Sequence, residues 1–324
     1  MVNNWLITGG CGFIGTSLIK KILKETPHSY IRVLDNLSVG SREDLKEVCN
    51  FNEKKIDDIE LSNGVNLIVG DILDFETCYK VSRDIDCVVH LAANTGVGIS
   101  VESPRTDMEV NVIGTFNMLE SARLCAVNNF VFASSGAPAG VVKPPIHEEL
   151  APHPVSPYGS SKLAGEGYCS SYFHSFSVNT NCLRFGNVYG PRSKHKSSVV
   201  AKFIRQALNG EEFEVYGDGS QTRDFIYIDD LVNAVIMASN FNKGGEIFQI
   251  ATGQEVTLNE LVNLLCKILD ETAKCKAKIK FGNKRKGDVL RNFSDTSKAN
   301  SVLGWKALTE LEDGLLLTVK EFIK

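Results

Sequence analysis

The chain has 324 residues, 43% of them hydrophobic and 23% charged, enough apolar material for one large α/β unit and a smaller lobe. Lys and Arg number 35 against 39 Asp and Glu, a net charge of -4, which argues against a polyanion-binding surface and so against nucleic acid as a partner. Nine cysteines without a C-x-x-C pair point to buried thiols in a reducing, cytoplasmic setting. No apolar run approaches the roughly 20 residues of a membrane span, and the histidines, His195 among them, form no metal-ligand pattern, so neither membrane nor metal is expected.

The first apolar run, Trp5-Leu6-Ile7, leads into Thr8-Gly9-Gly10-Cys11-Gly12-Phe13-Ile14-Gly15 and an amphipathic segment through Lys24. This predicts strand, tight loop and helix. Gly9, Gly12 and Gly15 allow a sharp turn, close approach to a pyrophosphate and tight helix packing, and the helix N-terminus offers N–H groups to the anion. Twenty residues after Gly15 the run Ile31-Arg32-Val33-Leu34 ends at Asp35, placed to bind an adenosine ribose and to repel a 2'-phosphate. NAD is therefore expected over NADP. Residues 50–63 read as an exposed polar insertion.

Further strands are expected at Asn66-Leu67-Ile68-Val69, residues 86–91, Phe130-Val131-Phe132 and Cys182-Leu183-Arg184-Phe185, with helices between them, including residues 106–127 and 158–173. Alternating strands and helices predict a doubly wound parallel sheet, and unbroken apolar strands predict burial on both faces. The rhythm loosens after residue 186. The expected division is an NAD-binding domain over residues 1–186, with 225–250 returning to it, and a smaller C-terminal α/β substrate lobe over 187–324.

Ligands of open parallel sheets gather at the carboxyl ends of the strands. There the sequence places Asp71, the small Ala92 and Ala93, and Ser134-Ser135. The segment Ser156-Pro157-Tyr158-Gly159-Ser160-Ser161-Lys162 puts a phenol and an ammonium four residues apart on one helix face. A neighbouring cation is expected to favour the phenolate, making Tyr158 a proton carrier, with Ser135 positioning a substrate hydroxyl or carbonyl and Asn111 nearby.

These motifs together resemble the extended short-chain dehydrogenase/reductase superfamily, specifically its nucleotide-sugar epimerases, over nearly the whole chain. The matching stretches are residues 8–15, Asp35-Asn36-Leu37, His90-Leu91-Ala92-Ala93, Asn111-Val112-Ile113-Gly114-Thr115, Ser134-Ser135, Tyr158 with Lys162, residues 184–191, Gly217-Asp218-Gly219 with Arg223-Asp224-Phe225, and Arg285-Lys286-Gly287-Asp288. The resemblance implies that NAD is lined by Gly9, Gly12, Phe13, Ile14, Gly15, Asp35, Asn36, Asp71, Ile72, Leu91, Ala92, Ala93, Asn111, Tyr158 and Lys162. It implies that Ser135 and Tyr158 act at the sugar, with Lys162 as the electrostatic partner. Asn187, Arg223, Arg285 and Asp288 would hold the nucleotide diphosphate, because guanidinium groups bind phosphate oxygens in pairs. Asn292 would border the sugar, and helices 106–127 and 158–173 would form a homodimer.

After Ser135 the family usually carries an apolar residue and a Tyr before Gly, whereas this chain has Gly136-Ala137-Pro138-Ala139-Gly140. The same stretch lacks the acidic residues that sugar-nucleotide dehydratases and decarboxylases place there, so reversible oxidation is expected rather than loss of water. The expected reaction is NAD-dependent inversion at C4 of a UDP-sugar. UDP-glucose/UDP-galactose leads, with UDP-glucuronate and UDP-N-acetylglucosamine as alternatives; Asn292, shorter than the Tyr of some relatives, leaves room for an N-acetyl group. A nucleotide-sugar dehydrogenase or reductase, and a non-catalytic NAD-binding module, are the rival classes.

Overall fold

The computed structural model describes residues 2–61, 64–194, 196, 198–283 and 290–324. In chain order the first part holds β1 (Asn4–Thr8), α1 (Phe13–Glu25), β2 (Tyr30–Asp35), α2 (Arg42–Lys46), β3 (Phe51–Glu53), β4 (Gly64–Val69), α3 (Phe75–Val81), β5 (Cys87–His90), α4 (Val97–Glu102), α5 (Pro104–Met108), α6 (Gly114–Leu124), β6 (Asn129–Ser135), α7 (Pro157–Phe176) and β7 (Asn179–Phe185). The remainder holds β8 (Asn187–Tyr189), α8 (Val199–Leu208), β9 (Glu212–Tyr216), β10 (Thr222–Arg223), β11 (Phe225–Tyr227), α9 (Ile228–Ser239), β12 (Glu246–Ile250), β13 (Val256–Thr257), α10 (Leu258–Ala273), β14 (Lys278–Gly282) and α11 (Leu311–Ile323).

Eight strands make one sheet in the order β12-β7-β6-β5-β1-β2-β4-β3. The pairs from β6 across to β3 are parallel, with Thr8 beside both Leu34 and His90. This is the doubly wound Rossmann arrangement, and its order reverses direction between β1 and β5, which fixes the ligand crevice at the ends of those strands. The sequence pattern explains the layers. All six residues of β2 are buried, as are all four of β5, which suits strands covered on both faces. Leu6, Leu34, Val88, Met118, Leu119, Phe130 and Phe132 pack into one core between sheet and helices.

Residues 50–63 differ from the expected plain insertion: β3 adds to the sheet edge beside β4. A three-residue edge strand with Asn52 and Glu53 exposed and no apolar alternation carries no periodic signal.

The chain divides into two compact units. The first comprises Met1–Val141, Glu148–Arg184 and Val232–Phe248; the second comprises Val142–His147, Phe185–Leu231 and Gln249–Lys324. Within the second unit, β11 pairs with β8, β14 with β9 and β10 with β13. Trp305 is buried and its indole donates to the Asp230 carbonyl, tying the segment before α11 to α9. Among the described residues no helix is long and apolar enough to cross a membrane.

Candidate active site

The glycine loop follows directly from the packing it permits. Gly9 has a φ of +68°, and a Cβ there would lie 2.8 Å from the Ala92 nitrogen. A Cβ on Gly15 would lie 2.5 Å from the Gly10 Cα and 2.6 Å from the Gly9 oxygen, so α1 begins in contact with the loop backbone. The helix starts at Phe13 and Ile14 with no capping side chain and no acidic residue in its first turn, leaving its positive end for an anion. Asp35 ends β2 and is 8% exposed; its carboxylate accepts from the backbone N–H groups of Cys11 (2.9 Å) and Leu37 (2.8 Å). Burial pushes this carboxyl above its ordinary range, and those bonds pull it back. Asn36 donates to Asp71 (2.9 Å), linking the ends of β2 and β4. Ile72 is buried, and Leu91 and Ala92 are held to Thr8 through backbone and Oγ1 bonds, with Ala93 next in the same segment. A cradle that an alanine side chain would fill, an uncapped helix start and a fixed acid at the second strand end fit a dinucleotide.

Beneath the crevice lies an imidazole clamp that the sequence did not reveal. Thr115 Oγ1 donates to the Asn111 carbonyl (2.7 Å) and so accepts from His90 Nε2 (3.1 Å), leaving Nδ1 to accept from Thr8 Oγ1 (2.8 Å). That ring is neutral: burial first, and then Lys162, lower its pKa to about 3.

The proton-carrying group sits at the start of α7. Ser156 caps the helix by accepting from the Gly159 N–H (3.1 Å), and Pro157 occupies its first turn. Tyr158 and Lys162 therefore share a face, and the Lys162 ammonium lies 5.9 Å from the Tyr158 ring centroid and 4.9 Å from that of Phe132. Lys162 is 3% exposed and donates to the Ala133 carbonyl at 2.9 Å. Burial lowers its pKa to about 8 against the raising effect of Asp107, Cys169 and Glu166. The expected depression of the Tyr158 phenol differs from what is found. Burial pushes it up, a hydrogen bond with Ser135 pulls it down, and Asp107 pushes it up again. The ammonium is spent on a backbone carbonyl and does not reach the phenol oxygen, so desolvation dominates.

Ser134 and Ser135 divide their labour. Ser134 is buried and donates to Glu166 (2.6 Å), whereas half-buried Ser135 faces Tyr158 and accepts from the Ala137 N–H (3.2 Å). The turn at 136–140 packs on α7 where a Cβ at Gly159 would lie 2.7 Å from the Ala137 oxygen, while a Cβ at Gly136 would meet nothing within 4 Å.

Asn111 is buried in a π-turn spanning Glu109–Ile113, an irregularity frequent at functional sites. Its Oδ1 accepts from the Asn94 N–H (2.8 Å), and its amide nitrogen reaches the Asn94 carbonyl (2.9 Å), Asp107 Oδ1 (3.0 Å) and Ser161 Oγ (3.2 Å). Asp107 and Glu166 went unremarked in the sequence, although each lies four residues from a named candidate, on the same helix face.

In the second unit, Arg223 and Asn292 converge on Thr222: the Asn292 N–H donates to Thr222 Oγ1 (3.3 Å), and Arg223 donates to the Thr222 carbonyl (2.7 Å). Asp224, 2% exposed, accepts from Thr252, Gly253 and Ser294 and, through its carbonyl, from the exposed Asn187. Arg291 makes a paired ion bridge to Glu255 that the sequence did not suggest. Arg285 and Asp288 lie outside the described residues.

Comparison with known proteins gives the family and the fold. Residues 5–251 match the model of the NAD dependent epimerase/dehydratase family. A putative UDP-glucose 4-epimerase of Methanocaldococcus jannaschii is 35% identical over 96% of this chain and 95% of its own length. A UDP-glucuronate 4-epimerase of Thermodesulfobacterium geofontis is 31% identical over 97% and 94%. The crystal structure of a Thermotoga maritima UDP-glucose 4-epimerase with UDP-glucose superposes with a TM-score of 0.86 at 35% identity, covering 99% of this chain and 98% of that one. The chain is thus an enzyme with NAD as its cofactor, and it belongs to the NAD dependent epimerase/dehydratase family.

Proposed function

We propose that this enzyme inverts C4 of a UDP-hexose, with UDP-glucose and UDP-galactose as the leading pair. The observation that carries the reading is the Ser135, Tyr158 and Lys162 constellation, with a half-buried phenol and a buried ammonium on one helix face beside a partly open serine. When bound, NAD supplies a reversible hydride acceptor for the sugar carbon. Tyr158 Oη takes the C4 hydroxyl proton as the carbon is oxidised and returns it on reduction from the other face. Ser135 donates a hydrogen bond to the C4 oxygen and holds it against the phenol. The buried Lys162 ammonium, anchored on the Ala133 carbonyl, offers its remaining N–H donors to the cofactor ribose. NAD rests on Gly9, Gly12, Phe13, Ile14 and Gly15, with its ribose on Asp35. The nucleotide diphosphate falls to Asn187, Arg223, Arg285 and Asp288, with Asn292 by the sugar.

One observation favours reversible oxidation over dehydration: Gly136 and Ala137, which follow Ser135, carry no acid or base. UDP-N-acetylglucosamine and UDP-glucuronate stay as second readings, the first because the short side chain of Asn292 leaves room for an N-acetyl group. The domain roles follow: residues 1–186 for NAD, a smaller C-terminal lobe for the nucleotide sugar. Exposed Met108, Ile113, Tyr168 and Phe176, on α5, the π-turn and α7, support a homodimer through these helices, and the free thiols of the described chain suit the cytoplasm.

Purified enzyme incubated with each UDP-sugar, products separated, tests the reading. UDP-glucose and UDP-galactose should interconvert with no net absorbance change near ~340 nm, because the cofactor is regenerated each cycle. Accumulating reduced cofactor would favour a dehydrogenase, and no conversion of any UDP-hexose overturns the proposal.

A further inference from the structure

Asp107 is 1% exposed, yet only one of its carboxylate oxygens has a partner. Oδ1 accepts from Asn111 (3.0 Å), while Oδ2 is buried with no hydrogen bond to any of the described residues. A buried, half-satisfied carboxylate is costly, and such groups persist where function holds them. The surroundings indicate what this one serves. Asn111 continues from Asp107 to Ser161 Oγ (3.2 Å), and Ser161 in turn donates to the Tyr158 carbonyl (3.0 Å) and directly precedes Lys162. A short polar chain thus runs from α5 through the π-turn to the first turn of α7. The structure shows no nearer role for this acid: its side chain neither caps a helix nor closes an ion pair with any of the described residues.

We propose that Asp107 is a positioning residue for the proton carrier: its Oδ1 fixes Asn111 against Ser161 at the first turn of α7, and its unpartnered Oδ2 supplies a buried negative charge to the Tyr158 and Lys162 face. The inference rests on Tyr158 being the base. The charged and titratable groups facing the pair are Asp107 from α5, His90 from β5, and Glu166 and Cys169 from α7 itself, with the hydroxyl of Ser135 on the phenol. His90 is neutral and Glu166 is already committed to Arg184 and Ser134. Asp107 is thus the anion left to act on both members, and it pushes both titrations upward. Removing that charge therefore moves both protonation steps in the same direction.

The test is the isosteric Asp107→Asn, which keeps an oxygen for Asn111 and removes the charge. Both limbs of the kcat/KM against pH profile should move to lower pH together, by about 1 unit. Without substrate, the ultraviolet difference titration of the Tyr158 phenol, obtained by subtracting the Tyr158→Phe protein, should shift the same way. Should the isostere fail to fold, Asp107→Ser is read by the same titration. A fall in rate with both limbs and the phenol titration unmoved makes Asp107 merely structural and overturns the proposal. Full activity of Tyr158→Phe instead defeats the underlying reaction scheme, so the two failures are distinguishable.

Discussion

Replacing Glu166 by Ala tests how the site is held. Glu166 lies one turn beyond Lys162 on α7 and is 2% exposed; it accepts from Ser134 Oγ (2.6 Å), Arg184 Nε (2.8 Å) and Arg184 Nη2 (2.7 Å). Arg184 is 3% exposed, and its Nη1 already lacks a hydrogen-bond partner. Removing the carboxylate strands a guanidinium and a hydroxyl inside the sheet–helix interface. Breaking one partner out of a buried pair costs about 3–5 kcal/mol, a large share of the ~5–15 kcal/mol of a folded protein. At roughly 2–4 °C per kcal/mol for a unit of this size, the melting temperature should fall by about 10 °C in differential scanning fluorimetry. The double replacement Glu166→Met with Arg184→Met should recover most of the loss, because it removes both charges. A single variant that melts within about 2 °C of the parent, on the same scale, would refute the reasoning.

Two further outcomes follow from the geometry. His90 is held at about 3, well below its ordinary 6.5, so its stabilising contribution is complete above pH 6.5 and is lost as pH falls toward 3. The expected slope is about 1.4 kcal/mol per pH unit. His90→Gln should flatten acid unfolding measured by circular dichroism over that window, and an unchanged slope would contradict the neutral clamp. Gly15→Ala puts a methyl 2.5 Å from the Gly10 Cα, with only backbone to give way; NADH fluorescence titration should show affinity reduced by at least about tenfold, or ~1.4 kcal/mol, and unaltered affinity would remove the cradle argument.

The sheet was legible because its strands are continuous apolar runs: Trp5-Leu6-Ile7, Ile31-Arg32-Val33-Leu34 and Phe130-Val131-Phe132 all lie in buried strands. The buried Arg32 interrupts one such run, and it is tolerated because Nη1 donates to the carbonyls of Val81 (2.5 Å), at the end of α3, and Arg83 (2.9 Å), just past it. β3 escaped notice because an edge strand this short and polar has no periodicity. The Tyr158 and Lys162 spacing fixed their common face, but not where the ammonium would point. That depended on Ala133, a carbonyl 29 residues away in sequence. Asp107 and Glu166 were equally hidden, since a charged residue on a helix face reads as solvated until tertiary packing buries it.

The central claim, that the Tyr158 phenol carries the proton of C4, is tested most directly by Tyr158→Phe assayed for UDP-glucose and UDP-galactose interconversion alongside NAD affinity. The half-buried ring is set by the first turn of α7, so it should remain in place and NAD should bind as before. Turnover should fall by ~10²–10⁴, the range for loss of a general acid–base group. Turnover within about threefold of the parent, with NAD still bound, is far below the loss such a group entails and would contradict the account.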